Sequence, residues 1–112
     1  MRRRFFDPGR LRHEMVLEAA GRTADALGGY AEDWAAVATL WAHLESAAAP
    51  VFRADGEEAE ITHRIILRAD PRIERGMRLK EGVRIFTIRT VRDLDETGRY
   101  FECLTRETGV SP

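Results

Sequence analysis

The sequence predicts a mainly β domain, a small barrel or sandwich, and three observations carry that prediction. Residues 11–19 and 61–69 alternate apolar with polar side chains, the period of a half-buried strand. Proline and glycine turn clusters, at Asp70-Pro71, Glu81-Gly82 and residues 93–98, cut the rest of the second half into short β-branched runs. Five or six such strands in a chain of this length suit a closed or stacked sheet, which leaves few exposed edges.

Taken in order, residues 1–10 form an arm with Arg2, Arg3, Arg4, Phe5 and Phe6, ending in the turn chemistry of Asp7-Pro8-Gly9. In the first strand Leu11, His13, Met15, Leu17 and Ala19 share one face, with Arg12, Glu14 and Glu18 on the other. Residues 21–29 read as a polar, glycine-rich connection. Residues 31–49 are ambiguous. Trp34, Val37, Trp41 and Leu44 recur at three- and four-residue spacing amid alanines, which favours an amphipathic helix. Alternation is present too, since Ala36, Ala38, Leu40, Ala42 and Leu44 would share one face of a strand.

Residues 47–60 combine an alanine run, Pro50 and the acidic Asp55, Glu57, Glu58 and Glu60 without alternation, and read as a long loop. Next come a strand at 61–69 with Ile61, His63, Ile65 and Leu67 on one face, and a hairpin of 77–80 with 83–91. The second arm of that hairpin is apolar on both faces, as in a strand covered on two sides. The last strand is expected at 99–106, with a frayed tail beyond it.

Bulk properties narrow the function. One domain is expected, with a core sufficient without metal or disulfide support. The single Cys103 has no intramolecular partner, which suits a reducing cytoplasm. No apolar run approaches the ~20 residues that cross a bilayer, and residues 1–6 lack the apolar stretch of a signal peptide, so neither membrane insertion nor export is expected. The 18 basic and 19 acidic side chains nearly cancel, whereas a dedicated nucleic-acid binder carries a basic surplus on one face. Almost all the cations are arginines, which suits forked ion pairs across interfaces, although a GC-rich genome produces the same bias.

No catalytic pattern emerges, and no enzyme, cofactor or metal is expected. His13, His43 and His63 match no ligand spacing, and His13 and His63 fall on inward positions. Cys103 sits mid-strand without a nucleophile signature and reads as a small buried apolar residue. The carboxylate pairs Glu57 with Glu58 and Asp93 with Asp95 lie in turns or the loop, where such residues are ordinarily solvated or capping. Phosphate-cradling and nucleophile-elbow motifs are absent. Trp34 and Trp41 have the flat faces to stack bases on an OB-like surface, but without a basic groove around them a packing role is preferred.

The order of these signals resembles the phage head-tail joining family, the head-closure or stopper proteins, including those of phage-like gene transfer particles. The resemblance rests on Gly9-Arg10-Leu11-Arg12-His13, Gly28-Gly29, Trp34 and Val37-Ala38-Thr39-Leu40-Trp41-Ala42. It continues through Thr62-His63-Arg64-Ile65, Gly76-Met77-Arg78, Ile88, Val91 and Asp93, and Arg99-Tyr100 leading to Leu104. It implies a small β-barrel of about six strands with a long loop between the second and third, and it turns residues 36–45 from helix to strand. The implied division is an arm at 1–10, a barrel at 11–107 with its loop at 46–60, and a flexible tail at 108–112.

The function implied is a structural neck protein. It would form a homo-oligomeric ring of six- or twelve-fold symmetry below the portal and adaptor, close the channel on packaged double-stranded DNA and dock the tail terminator protein. Such a protein assembles in the bacterial cytoplasm and ends at the neck of the particle. Phe52, Arg53, Asp55, Glu57 and Glu58 would then face the channel, and Arg2, Arg3, Arg4, Phe5 and Phe6 would contact neighbours. Carboxylates facing a channel repel DNA phosphates, where arginines would grip them. The alternative from another class is a small OB-like barrel that binds single-stranded nucleic acid through Trp34, Trp41 and the terminal arginines.

Overall fold

The computed structural model describes residues 6–24, 28–47, 51–54 and 57–110. The Asp7 carboxylate accepts a hydrogen bond from the Gly9 amide at 2.9 Å and caps a 3-10 turn, Pro8–Arg10. Proline suits the first position of that turn, where an N–H would have no partner anyway. The turn leads into β1 (His13–Ala24), followed by β2 (Tyr30–Ser46), β3 (Val51–Ala54), β4 (Glu57–Glu60), β5 (His63–Arg68), β6 (Arg78–Glu81), β7 (Arg84–Asp93) and β8 (Tyr100–Val110). Six strands close into an antiparallel barrel in the order β1-β2-β5-β8-β7-β6, while β3 and β4 pair with each other as a separate ribbon.

The inward positions follow the alternation. Met15, Leu17, Ala42, Ile65, Leu67, Leu79, Phe86 and Cys103 are fully buried, and Ile88 nearly so. The small Ala42 and Cys103 share the interior with the large Phe86 and Met15, and the side chains together fill it. Residues 36–45 lie within β2, with Leu40 opposite Met15 and Leu44 opposite Ile65. The helical spacing of Trp34, Val37, Trp41 and Leu44 has a different origin. Leu17 pairs with Ala38 and Glu18 with Ala36, which leaves Val37 as a bulged residue packed on the core. Trp41 is 54% exposed on the outer wall while Val37 and Leu44 pack against the core, so the four residues do not form one face.

β7 is explained by a second bulge. Ile88 pairs with Thr105 and Thr90 with Leu104, so Arg89 is the extra residue. The inward parity changes there, from Phe86 and Ile88 before it to Val91 after it, and the strand reads as apolar on both faces although only one is fully covered. Between β6 and β7, Gly82 at φ 59° occupies the first position of a two-residue hairpin loop, where a type II′ turn needs positive φ.

Three further expectations are corrected. Residues 21–24 of the expected polar connection at 21–29 are strand. β1 continues to Ala24 and β2 begins at Tyr30, so residues 19–24 and 30–35 form a hairpin that pairs with no other strand. The loop at residues 47–60 contains β3 and β4. Its acidic sequence shows no apolar alternation, and the register pairs acidic Glu57 and Glu58 with Ala54 and Arg53. Of the tail expected to fray from Glu107, residues 107–110 belong to β8, because β7 begins at Arg84 and gives β8 a partner as far as Val110; Ser111 and Pro112 lie outside the described residues.

Phe86 is the largest fully buried side chain. Phe86→Ala should therefore lower the urea-unfolding free energy by about 3–5 kcal/mol. A loss below about 1 kcal/mol would mean that the interior is not packed as described.

Candidate functional site

The start of β1, the end of β2, the start of β5, the β6–β7 turn and the end of β8 gather at one rim of the barrel. The β3–β4 ribbon leaves from this rim, and its neck is closed by a 3.0 Å hydrogen bond from the Ala47 amide to the Thr62 carbonyl. Within the ribbon, Phe52 lies opposite Ala59, Arg53 opposite Glu58 and Ala54 opposite Glu57. Four of the five residues expected at a channel, Phe52, Arg53, Glu57 and Glu58, thus belong to one two-stranded element; Asp55 lies outside the described residues.

The histidines are scattered around this rim. His13 Nδ1 donates to Glu81 at 2.8 Å, and His43 Nε2 donates to Glu45 at 3.0 Å. His63 packs edge-on against Phe86 with ring centroids 5.1 Å apart, and its Nδ1 lies 2.9 Å from Thr62 Oγ1. Burial pushes the His63 pKa down; Glu107 opposes that effect and Arg84 adds to it. Among the described residues no three histidine, cysteine or acidic side chains are placed to share a metal ion. Cys103 is fully buried, and burial with Glu102 alongside pushes its thiol up to about 12, so it is protonated and packs as an apolar residue.

On the outer wall a chain of ion pairs crosses four strands. Glu102 of β8 faces outward yet is 2% exposed. Its carboxylate accepts hydrogen bonds from Arg64 Nε of β5 and Arg92 Nε of β7. Arg64 also donates to Glu45 of β2, which in turn holds His43. Burial raises the Glu102 pKa, but the two arginines outweigh it and hold the carboxyl below the usual range. Glu45 is lowered chiefly by its hydrogen bond from Arg64, and Glu107 by that from Arg84. Each charge was legible in the sequence. Their convergence was not, because it needs the register of four strands.

Aromatic contacts complete this wall. Arg78 lies 4.0 Å from the Trp34 ring centroid and donates to Glu18 at 2.6 Å, which pins the base of the β1–β2 hairpin. Phe6 packs on the barrel of its own chain, 5.1 Å from Tyr100 and 5.7 Å from His43 by ring centroids. That end of the arm is therefore held in place, whereas Arg2, Arg3, Arg4 and Phe5 lie outside the described residues. The packing role preferred for Trp41 fails, since its ring stands on the outer surface.

The class of protein is thus a closed six-strand barrel with a separate ribbon, a buried outer-wall carboxylate held between two arginines, and a buried, protonated cysteine. The model of the phage head completion protein family matches residues 6–108, and the chain belongs to that family, a family of structural virion proteins. Among solved structures it is similar to a chain in the virion of a native gene transfer agent particle, with 35% identity and a TM-score of 0.67, covering 91% of this chain and 98% of that one. It is also similar to a protein of Shigella flexneri 2a solved in solution, with 25% identity and a TM-score of 0.68, covering 92% and 97%. No curated protein matches the chain.

The lowered carboxyls fix an acid response. A carboxyl whose folded pKa lies below its unfolded value of about 4.3 contributes fully above that value, and the contribution is lost as pH falls through the folded pKa. Unfolding free energy should thus hold steady down to about pH 5 and decline below it. Glu102→Gln should cost about 1.5–3 kcal/mol at neutral pH and flatten that decline. An unchanged acid limb would remove Glu102 as its main source.

Proposed function

We propose that the chain is a neck subunit that assembles as a ring of six or twelve copies below the portal and adaptor. The β3–β4 ribbon turns toward the axis to close the channel on packaged double-stranded DNA, and the ring offers the tail terminator its docking surface. The observation that carries the reading is a separate ribbon leaving one rim of a closed barrel, in a chain of the phage head completion family. The similarity to a chain of a gene transfer agent virion supports a place in a phage-like particle. Ribbon charge supports closure without capture, since Glu57, Glu58 and Glu60 outnumber Arg53 and would repel phosphates. Assembly in the bacterial cytoplasm and final residence at the neck follow from this role.

Replacing residues 51–60 by a glycine-serine linker tests the reading in particles. Heads should package DNA and then lose it, while the linker-bearing subunit is still incorporated. Particles that keep their DNA and gain tails at the normal rate would overturn it.

The exposed Trp41 favours one rival, an OB-like surface stacking single-stranded nucleic acid. Tryptophan fluorescence titrated with single-stranded DNA separates the two. A neck subunit should give weak quenching with a shallow salt dependence; tight binding with a steep salt slope would support the rival.

A further inference from the structure

Beside β1 lies a cleft of about 320 Å³ lined by Arg10, Arg12, His13, His43 and Leu44. Four of its five walls are cationic or titratable side chains. Arg10 and Arg12 are both exposed. Arg12 is steadied by a 3.3 Å bond from its Nε to the Gly9 carbonyl, and neither guanidinium pairs with a carboxylate among the described residues. The histidines are held by Glu81 and Glu45, so the two arginines are the cations left to meet an incoming group. The adjacent Asp7 side chain does not fill that role, since it caps the turn at Gly9.

We propose that this cleft receives the acidic ribbon of a second copy, so that each ribbon is latched onto its neighbour around the ring. The proposal rests on the neck reading and deepens it. Leu44 lines the cleft and the excursion begins at Ala47, so receptor and ribbon leave the same rim. In a rotationally symmetric ring a head-to-tail contact of this kind closes on itself, and every ribbon and every cleft is used once. Charge makes the same demand. Ribbons bearing Glu57, Glu58 and Glu60 repel one another when they converge on an axis, and stable closure needs a counter-charge at that rim. The chain's other acidic turn, with Asp93, Asp95 and Glu96, sits at the opposite rim, where it cannot reach this cleft within one ring layer. Arginine forks are suited to such carboxylates, and exposed pairs of this type release readily.

Cross-linking in assembled particles tests the contact. Arg12→Cys with Glu58→Cys, treated with a short bismaleimide, should give a ladder of covalently joined copies, because the buried Cys103 thiol does not compete. Neither single variant should give the ladder. Absence of the ladder, or linkage confined to one chain, would overturn the latch.

A charge swap reads the function. Arg10→Glu with Arg12→Glu, and separately Glu57→Arg with Glu58→Arg, should each cut the fraction of filled heads about tenfold, and combining all four should restore most of it. No restoration, while the linker replacement of residues 51–60 still empties heads, would refute the latch and leave channel closure standing. If the linker replacement also leaves heads full, both readings fall. Filled heads in the arginine variants alongside weaker DNA binding by the isolated subunit would identify DNA phosphate as the occupant instead.

Discussion

Closure of the sheet depends on its shortest seam. β1 and β6 pair through Val16 with Lys80, Leu17 with Leu79 and Glu18 with Arg78, and among the described residues this is the only strand pairing that joins the first hairpin to the β6–β7 hairpin. Leu17 and Leu79 are fully buried across it. Outside, Arg78 is held at once by Glu18 and the face of Trp34, two groups from different strands. A three-residue ladder has little cohesion of its own, so the apolar pair beneath and the cation above are what keep β1 and β6 from becoming open edges. Every protruding element takes its direction from that closure.

The outer wall shows a second consequence of a small interior. Burial is not confined to the barrel interior. Ile66 and Tyr100 face outward and are nearly covered, with Phe6 lying over Tyr100 and His43. Glu102 is buried in the same wall because Arg64 and Arg92 approach it from both sides. A lone carboxylate there would be costly, and two charge-assisted partners make it tolerable while fixing the register of three strands. The ion pairs serve geometry at least as much as stability.

The sequence was most readable where a strand has one core face and no irregularity. β5 is such a strand, with Ile65 and Leu67 inside and Arg64 and Arg68 outside. Legibility failed wherever a bulge changed parity, as at Val37 and Arg89, because a one-residue slip scrambles a period of two. It failed again in β3 and β4, whose pairing leaves no apolar trace. For residues 36–45 local propensity favoured a helix over the strand that alternation also allowed, and the family resemblance decided for the strand that exists. Of the candidate site, the acidic ribbon residues were visible as a run of charge, whereas the arginine-lined cleft arises from the junction of a turn with two strands and had no linear signature.

The hairpin formed by residues 19–24 and 30–35 extends beyond the barrel at the end opposite the ribbon, and its two strands pair there with each other and with no other described strand. Six residues of strand span about 20 Å. A rod of that length fixed at its base acts as a lever: a rotation of the barrel by roughly 10° would sweep its tip sideways by about 3–4 Å. Because Arg78 clamps the base to the seam, such a rotation is carried along the rod rather than dissipated in a loop. Motion at the hairpin tip is therefore coupled through the seam to the rest of the barrel, ribbon rim included.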